Sequence, residues 1–299
     1  MQEPLLPKCQ NVSPPKWSQE RRLEFIDFRL RWEGRLNRKD LMEFFGISKP
    51  QASLDIARYI ELAPHNLRYE RGPKVYVAEP AFTSVFPSTH PDRYLDRILA
   101  SANNEAEGMG FVGWRPPAAT VPIPGRKLDG GVLAAIITAI RENNDVFIQY
   151  QSVSGSSETG RWLSPHALAH DGFRWHVRAY CHFRAGFRDF LIARILEVTD
   201  TRPSSVSSAD DKPWHNTTRL RLTPNPALSE AAAKVIAADY GMTNGEVVLE
   251  CREALLFYLL RQLNLAPGLM TSTPQSQQVI LKNWDEVEQI FAKTNNNVG

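Results

Sequence analysis

RKDLMEFFGISKPQASLDIARYIEL, residues 38–62, holds two short amphipathic runs joined by residues that stop one helix and start the next. Gly46 is the residue that most readily adopts the left-handed backbone of a helix C-cap. After Ile47, Ser48 and Gln51 form the S-x-x-Q pattern of a capping box, and Pro50 is tolerated in a first turn. The second run therefore predicts a helix that buries Leu54, Ala57 and Ile60 and ends before Pro64. So tight a connection between two short helices predicts a helix-turn-helix.

The flanking sequence completes the unit. Upstream, residues 18–33 space Leu23, Ile26 and Leu30 for a core helix, with Phe25, Phe28 and Trp32 widening its apolar face. Downstream, LRYE and KVYVA flank the turn residues RGP, which predicts a β-hairpin. Three helices followed by a hairpin is the order of a winged helix-turn-helix domain. In that geometry the start of the third helix presents Lys49, Gln51 and Ser53 to a DNA major groove, and Arg58 reaches the backbone. The wing then offers Arg68, Arg71 and Lys74 to phosphate or the minor groove. Residues 1–80 hold 14 Lys and Arg against 11 Asp and Glu, so DNA binding here has to rest on placement of charge rather than on net charge.

A helix is expected near residues 91–105. Beyond it, EGMGFVGWRPPAATVPIPGRK is too rich in Gly and Pro for regular structure and reads as an interdomain linker. A helix from about Asp129 to Asn143 leads into four alternating runs, VFIQYQSV, RWLSPHALAH, FRWHVRAYCHF and RDFLIARILEV, spaced as an antiparallel sheet small enough to curl into a barrel. The polar bridge TRPSSVSSADDKP precedes a last α+β unit with strands TTRLRLTP, EVVLECR and QQVILK. Its helices are SEAAAKVIAADYG, ALLFYLLRQLN and WDEVEQIFAK, of which the second is expected to supply both core and dimer contacts. The expected organisation is a winged helix-turn-helix over 1–90, a helical linker over 91–144, a barrel over 145–202 and a C-terminal α+β dimerisation domain over 213–299.

The barrel holds an unusual density of cations. Between residues 141 and 200 there are seven arginines and no lysine. Strand alternation places Phe173, Trp175, Val177, Ala179, Cys181 and Phe183 on a packing face, and Arg174, His176, Arg178, Tyr180 and His182 on the other. Planar guanidinium forks suit bidentate recognition of phosphate or carboxylate, so the second face reads as an anion-recognition surface. The plainer reading pairs these arginines with Asp171, Asp189 and Glu197 on a solvated sheet face.

Several function classes are disfavoured. No GxSxG, P-loop, HExxH or Gly-rich dinucleotide turn is present, so neither catalysis nor a bound cofactor is expected. His166 and His170 share a face if they lie on one strand but stand about 13 Å apart, too far to share a metal ion. Cys9, Cys181 and Cys251 form no CxxC pair, and no run of apolar residues is long enough for a signal peptide or a membrane span, so a reduced, cytoplasmic protein is expected.

The order RWHVRAY then FRDFLIARI resembles the WYL domain, a small Sm-like barrel named after a Trp-Tyr-Leu triplet in its third strand. Trp175, His176 and Val177 stand where that triplet would be, so only the tryptophan matches. LSPHAL resembles the family's proline-containing second strand, and Arg188 to Arg194 its R-x-F-x-x-x-R ending. With the winged domain in front and the α+β unit behind, the chain looks most like the WYL repressors of bacterial phage-defence operons, the BrxR and CapW type. The resemblance implies a homodimeric repressor on a palindromic operator in double-stranded DNA, sensing a nucleotide or oligonucleotide. The pocket it implies comprises Tyr150, Ser164, His166, His176, Arg178, Arg188 and Arg194, with Trp175 in the core. The alternative is a protein whose barrel itself grips single-stranded nucleic acid.

Overall fold

A computed structural model describes residues 17–103, 110–122, 124–152, 159–266, 268 and 273–295. The chain forms two compact units, Met1–Pro122 and Ile123–Gly299.

The first unit contains α1 (Trp17–Glu33), β1 (Arg35–Leu36), α2 (Arg38–Phe45), α3 (Lys49–Leu62), β2 (Leu67–Glu70), β3 (Val75–Ala78) and α4 (Pro91–Asn103). Strands β2 and β3 pair antiparallel with Tyr69 opposite Tyr76, and β1 adds to the far side of β3, giving a three-stranded wing. Gly46 caps α2 at φ +63°, as expected. Only half of the expected box forms at α3: Ser48 Oγ accepts from the Gln51 amide, while the Gln51 side chain donates to Asp55. The reciprocal capping box is at α2 instead, between Asn37 and Asp40.

Helix α3 is rotated from the expected face. Ala52, Asp55, Ile56 and Tyr59 are buried, whereas Leu54 is 64 % exposed and Ala57 and Ile60 are also exposed. The cause is polar. Asp55 forms a buried two-point pair with Arg22 of α1, Nε to Oδ2 at 2.6 Å and Nη2 to Oδ1 at 3.1 Å. One helical turn later Tyr59 donates its hydroxyl to buried Asp27, which also accepts from Thr89 Oγ1 at 2.7 Å. Burial, reinforced by Asp27, pushes the Tyr59 phenol well above its usual range. These satisfied polar pins set which side of α3 faces inward.

The core of this unit also extends beyond the wing. Phe25, Phe28, Leu30, Leu36, Leu41 and Ile56 pack with Ile98 of α4 and with Phe111 and Val112, both nearly fully buried. Phe111 meets Phe25 edge-on at 5.5 Å. The Gly/Pro-rich segment expected to be a free linker therefore gives two side chains to this core.

The second unit opens with α5 (Gly130–Glu142), capped by Asp129, whose Oδ1 accepts from the Val132 amide at 2.9 Å. Strands β4 (Asn144–Tyr150), β5 (Thr159–His170), β6 (Trp175–Cys181), β7 (Gly186–Leu191) and β8 (Ile195–Pro203) form one antiparallel sheet in the order β7-β6-β5-β4-β8. The fourth expected run is thus two strands. A single 3-10 turn at Ile192–Arg194 breaks it, and β8 crosses to pair with β4. Val146, Ile148, Leu163, Val177, Ala179 and Cys181 form the core with Val132, Ile136 and Ala139 of α5.

The bridge ends in a short helix, α6 (Lys212–His215). The remainder is β9 (Thr217–Pro224), α7 (Glu230–Asp239), β10 (Val247–Arg252), α8 (Leu256–Gln262), β11 (Val279–Leu281) and α9 (Trp284–Asn295), with β9 central in the sheet order β10-β9-β11. These elements lie where the sequence placed them. Leu256 and Leu260 of α8 are buried with Leu220, Leu222 and Val287 in this domain's own core. The fold is mixed α+β with antiparallel sheets, and among the described residues no helix is long and apolar enough to cross a membrane.

Candidate DNA and ligand interfaces

The expected DNA-facing residues divide by their existing partners. Lys49 at the start of α3, and Arg71 and Lys74 at the wing tip, are exposed and have no carboxylate partner among the described residues. Lys74 takes φ +56°, which fixes the tip of the β2–β3 turn. The others are engaged. Gln51 Nε2 donates to Asp55 at 3.1 Å, Ser53 Oγ to the Lys49 carbonyl at 3.0 Å, and Arg58 to Glu61 at 2.8 Å. Arg68 is shared between Glu70 and Glu79. Surface pairs of this kind are weak and exchange readily for phosphate. Two residues were missed: Arg38, whose Nη1 reaches Ser53 Oγ at 3.4 Å beside the start of α3, and Leu54, an exposed apolar side chain on α3. The rotation of α3 puts Leu54 on its open face.

The barrel's cationic strand has the opposite character. Val177, Ala179 and Cys181 of β6 point into the core, and His176 and Arg178 lie on the other side, so the alternation holds through the middle of the strand. That other side is covered. Arg178, 1 % exposed, donates to Asp211 through Nε at 2.7 Å and Nη2 at 2.9 Å, and to Asp189 of β7 through Nη1 at 3.3 Å. His166 Nε2 lies 2.9 Å from the same Asp211 carboxylate, and Tyr258 of α8 donates its hydroxyl to Asp189 at 3.2 Å. One guanidinium thus ties two barrel strands to the bridge before α6 and, through Asp189, to α8.

The titration behaviour follows from this sharing. Burial raises the Asp189 carboxyl above its ordinary range and outweighs the opposing pull of Arg178, His176 and Tyr258. Burial opposes ionisation of Asp211 as well, but the hydrogen bonds from Arg178 and His166 prevail and bring it down to about 2.

The remaining expected pocket residues are distributed around this node. His176 turns to Asp171, with Nε2 to Oδ2 at 3.0 Å, and burial pushes its imidazole below the ordinary value. Ser164 donates to Asp145 at 2.6 Å and lies 2.9 Å from His182 Nε2. Arg202 reaches the same Asp145 at 3.1 Å and stacks on Trp162 at 4.0 Å. The Tyr150 hydroxyl is buried and accepts from the Leu191 amide at 3.3 Å, pinning β4 to the end of β7. Arg188 and Arg194 are half-buried. Tyr150, Ser164, His176 and Arg178 therefore lie inside the structure rather than on an open surface. The surface that a barrel gripping single strands would require is reduced accordingly.

Two expectations are corrected. Phe173, Trp175 and Phe183, placed on the packing face by strand alternation, are 64 %, 47 % and 72 % exposed, because they lie at or beyond the ends of β6. The Asp171 and Asp189 pairs do form with Arg174 and Arg178, but the second is buried rather than on a solvated face. Asp211 and Tyr258 were missed altogether. The only sequence signal for Asp211 was an Asp pair in the polar bridge.

Comparison with known proteins defines the class first. Residues 18–100 match the BrxR transcriptional regulator winged helix-turn-helix domain, residues 131–200 the WYL domain, and residues 217–287 the BrxR transcriptional regulator C-terminal dimerization domain. The chain is thus a winged-helix regulator with a WYL domain and a dimerization domain. It is 47 % identical over 277 residues to the DNA-binding transcriptional repressor CapW of Pseudomonas aeruginosa, covering 92 % of this chain and 93 % of that protein. The repressor of the same name from Escherichia coli (strain KTE188) is 45 % identical over 91 % of both chains, and that from Stenotrophomonas maltophilia 42 % identical over 93 % of both. The chain belongs to the CapW family of WYL-domain transcriptional repressors.

Proposed function

We propose that the chain works as a homodimer on an inverted-repeat operator, in the cytoplasm, repressing a phage-defence operon and answering to a nucleotide or oligonucleotide at its WYL domain. The observation that carries the DNA-binding part is the open face of α3, where Lys49 and Leu54 are exposed, together with the exposed Arg71 and Lys74 of the wing. A helix start of this kind can enter a major groove while the wing meets phosphate. A two-fold dimer presents two such helices, and a palindrome is their natural complement.

Regulation then requires a ligand that favours one arrangement of the dimer over another, since equal affinity for both shifts nothing. The Arg178 cluster supports a route. It couples the WYL barrel to the Asp211 bridge and to α8, so a change at the barrel is carried into the C-terminal domain. No catalytic step enters this reading.

The test is an electrophoretic shift with the intergenic DNA upstream of the chain's own gene. A discrete complex is expected at about 50 mM salt, weakening steeply by about 200 mM. No shift at low salt, or a shift indifferent to the sequence of the DNA, contradicts the proposal. A neighbouring cluster of phage-defence genes is the expected genomic setting.

A further inference from the structure

Beside the Arg178 cluster the second unit has a cavity of about 540 Å³, framed by the segment before α5, the β5–β6 turn and the end of α8. Its charged wall is Arg126, Arg174 and Arg261, and its flat wall is Phe173, Phe257 and Tyr258. None of the pocket residues expected from the sequence lines it. Asp171, the only carboxylate among the described lining residues, is already engaged by Arg174 at 2.8 Å and by His176 at 3.0 Å. Arg126 and Arg261 have no carboxylate partner among the described residues, so the cavity carries an uncompensated positive charge.

Of this aromatic wall, Tyr258 is buried and Phe257 half-buried, whereas Phe173 is exposed. Phe173 is 64 % exposed at the tip of the β5–β6 turn. The turn is nevertheless held in place. Gly172 takes φ +93°, a conformation that favours glycine, and its Cα lies against the side-chain amide of Gln262 at the end of α8. Backbone amides of Phe173 and Arg174 also bond to Asp171 Oδ1, at 2.9 and 2.7 Å. A phenyl ring displayed on a fixed turn opposite two uncompensated guanidinium groups suits a ligand that is planar at one end and multiply anionic at the other. The volume lies within the ordinary range for small-molecule sites.

We propose that this cavity binds a mononucleotide, with the base against Phe173 and the phosphates between Arg126 and Arg261. The inference deepens the ligand-responsive reading above and rests on it for its consequence, because Tyr258 lines the cavity and also donates to Asp189 of the Arg178 cluster. An occupant would press on the residue that joins α8 to the barrel.

Calorimetric titration of the full chain with the four ribonucleoside 5′-diphosphates, each separately, tests the proposal. At least one is expected to bind, and Arg126→Ala and Arg261→Ala each to weaken it about tenfold or more, with unliganded thermal unfolding unchanged. Phe173→Ala, at an exposed position, should weaken the nucleotide while leaving inorganic pyrophosphate unaffected. No heat from any of the four, or binding that both arginine variants retain, overturns it. A chain that binds nucleotide but ignores operator DNA would sink the repressor reading alone. One that shifts operator DNA but binds no nucleotide would sink this inference alone.

Discussion

Helix α3 and strand β6 both carry cationic side chains, yet they use them in opposite ways. On α3, Lys49 and Arg58 stand in water, and the charged residue that is buried, Asp55, anchors the helix to Arg22. On β6, Arg178 is the buried residue, closed over by Asp211 and touching Asp189. The difference lies in what covers each face. Local periodicity can identify a face, but the carboxylates that claim it come from distant segments of the chain. Hence α3 is free to meet DNA, and β6 holds the WYL barrel to its neighbours.

The largest effect should come from breaking the β6 side. Arg178→Met leaves Asp189 and Asp211 buried without the guanidinium they share, and the second unit should lose ~3–5 kcal/mol in urea unfolding. Replacing both carboxylates as well, with Asp189→Leu and Asp211→Asn, should recover much of that loss. A loss under about 1 kcal/mol from Arg178→Met alone would mean the cluster is surface-like after all.

A smaller effect should appear on acidification. Burial lowers the His176 pKa, so the fold holds the neutral ring; that stability is complete above the ordinary value of 6.5 and is lost as pH falls below it. The depressed Asp211 adds a loss of the same sign as pH falls below 3.8. Asp189 runs the other way: its raised pKa gives stability below 3.8 that is lost as pH rises through the raised value. Between pH 7 and 5 the His176 contribution should therefore lower the melting temperature, so that the wild type falls further, or rises less, than His176→Gln. An equal change in both proteins would contradict the assignment.

The smallest effect is confined to the backbone. Ala185, in the turn between β6 and β7, takes φ +47°, a region that disfavours a Cβ. Ala185→Gly should raise stability by up to ~1 kcal/mol, readable as a small upward shift in urea midpoint, with the cluster untouched. A loss would mean the turn relaxes when the Cβ is removed.

Much of this architecture was legible in the sequence because local chemistry decides it. Gly46, Ser48 and the RGP turn mark their own boundaries, and the C-terminal strands and helices alternate cleanly. What was not legible depends on distant partners. Leu54, Ala57 and Ile60 look like the inner face of α3 until Arg22 is known to hold Asp55 inside. Arg178 looks like a ligand residue until Asp211, thirty-three positions away, is known to take it. Phe111 and Val112 sit among glycines and prolines that signal a linker, yet they complete an aromatic core. The turn at Ile192–Arg194 has no Gly or Pro to announce it, so two strands read as one.

Fluorescence anisotropy of labelled inverted-repeat operator DNA, titrated with the wild-type chain and with a Lys49→Ala, Lys74→Ala double variant across a salt series, tests the central division most directly. The variant should bind more weakly at low salt, and its slope of log affinity against log salt should be shallower by about one for each phosphate that a protomer no longer neutralises. Wild-type and variant curves that superimpose across the series would contradict the assignment of DNA binding to the open face of α3 and the wing.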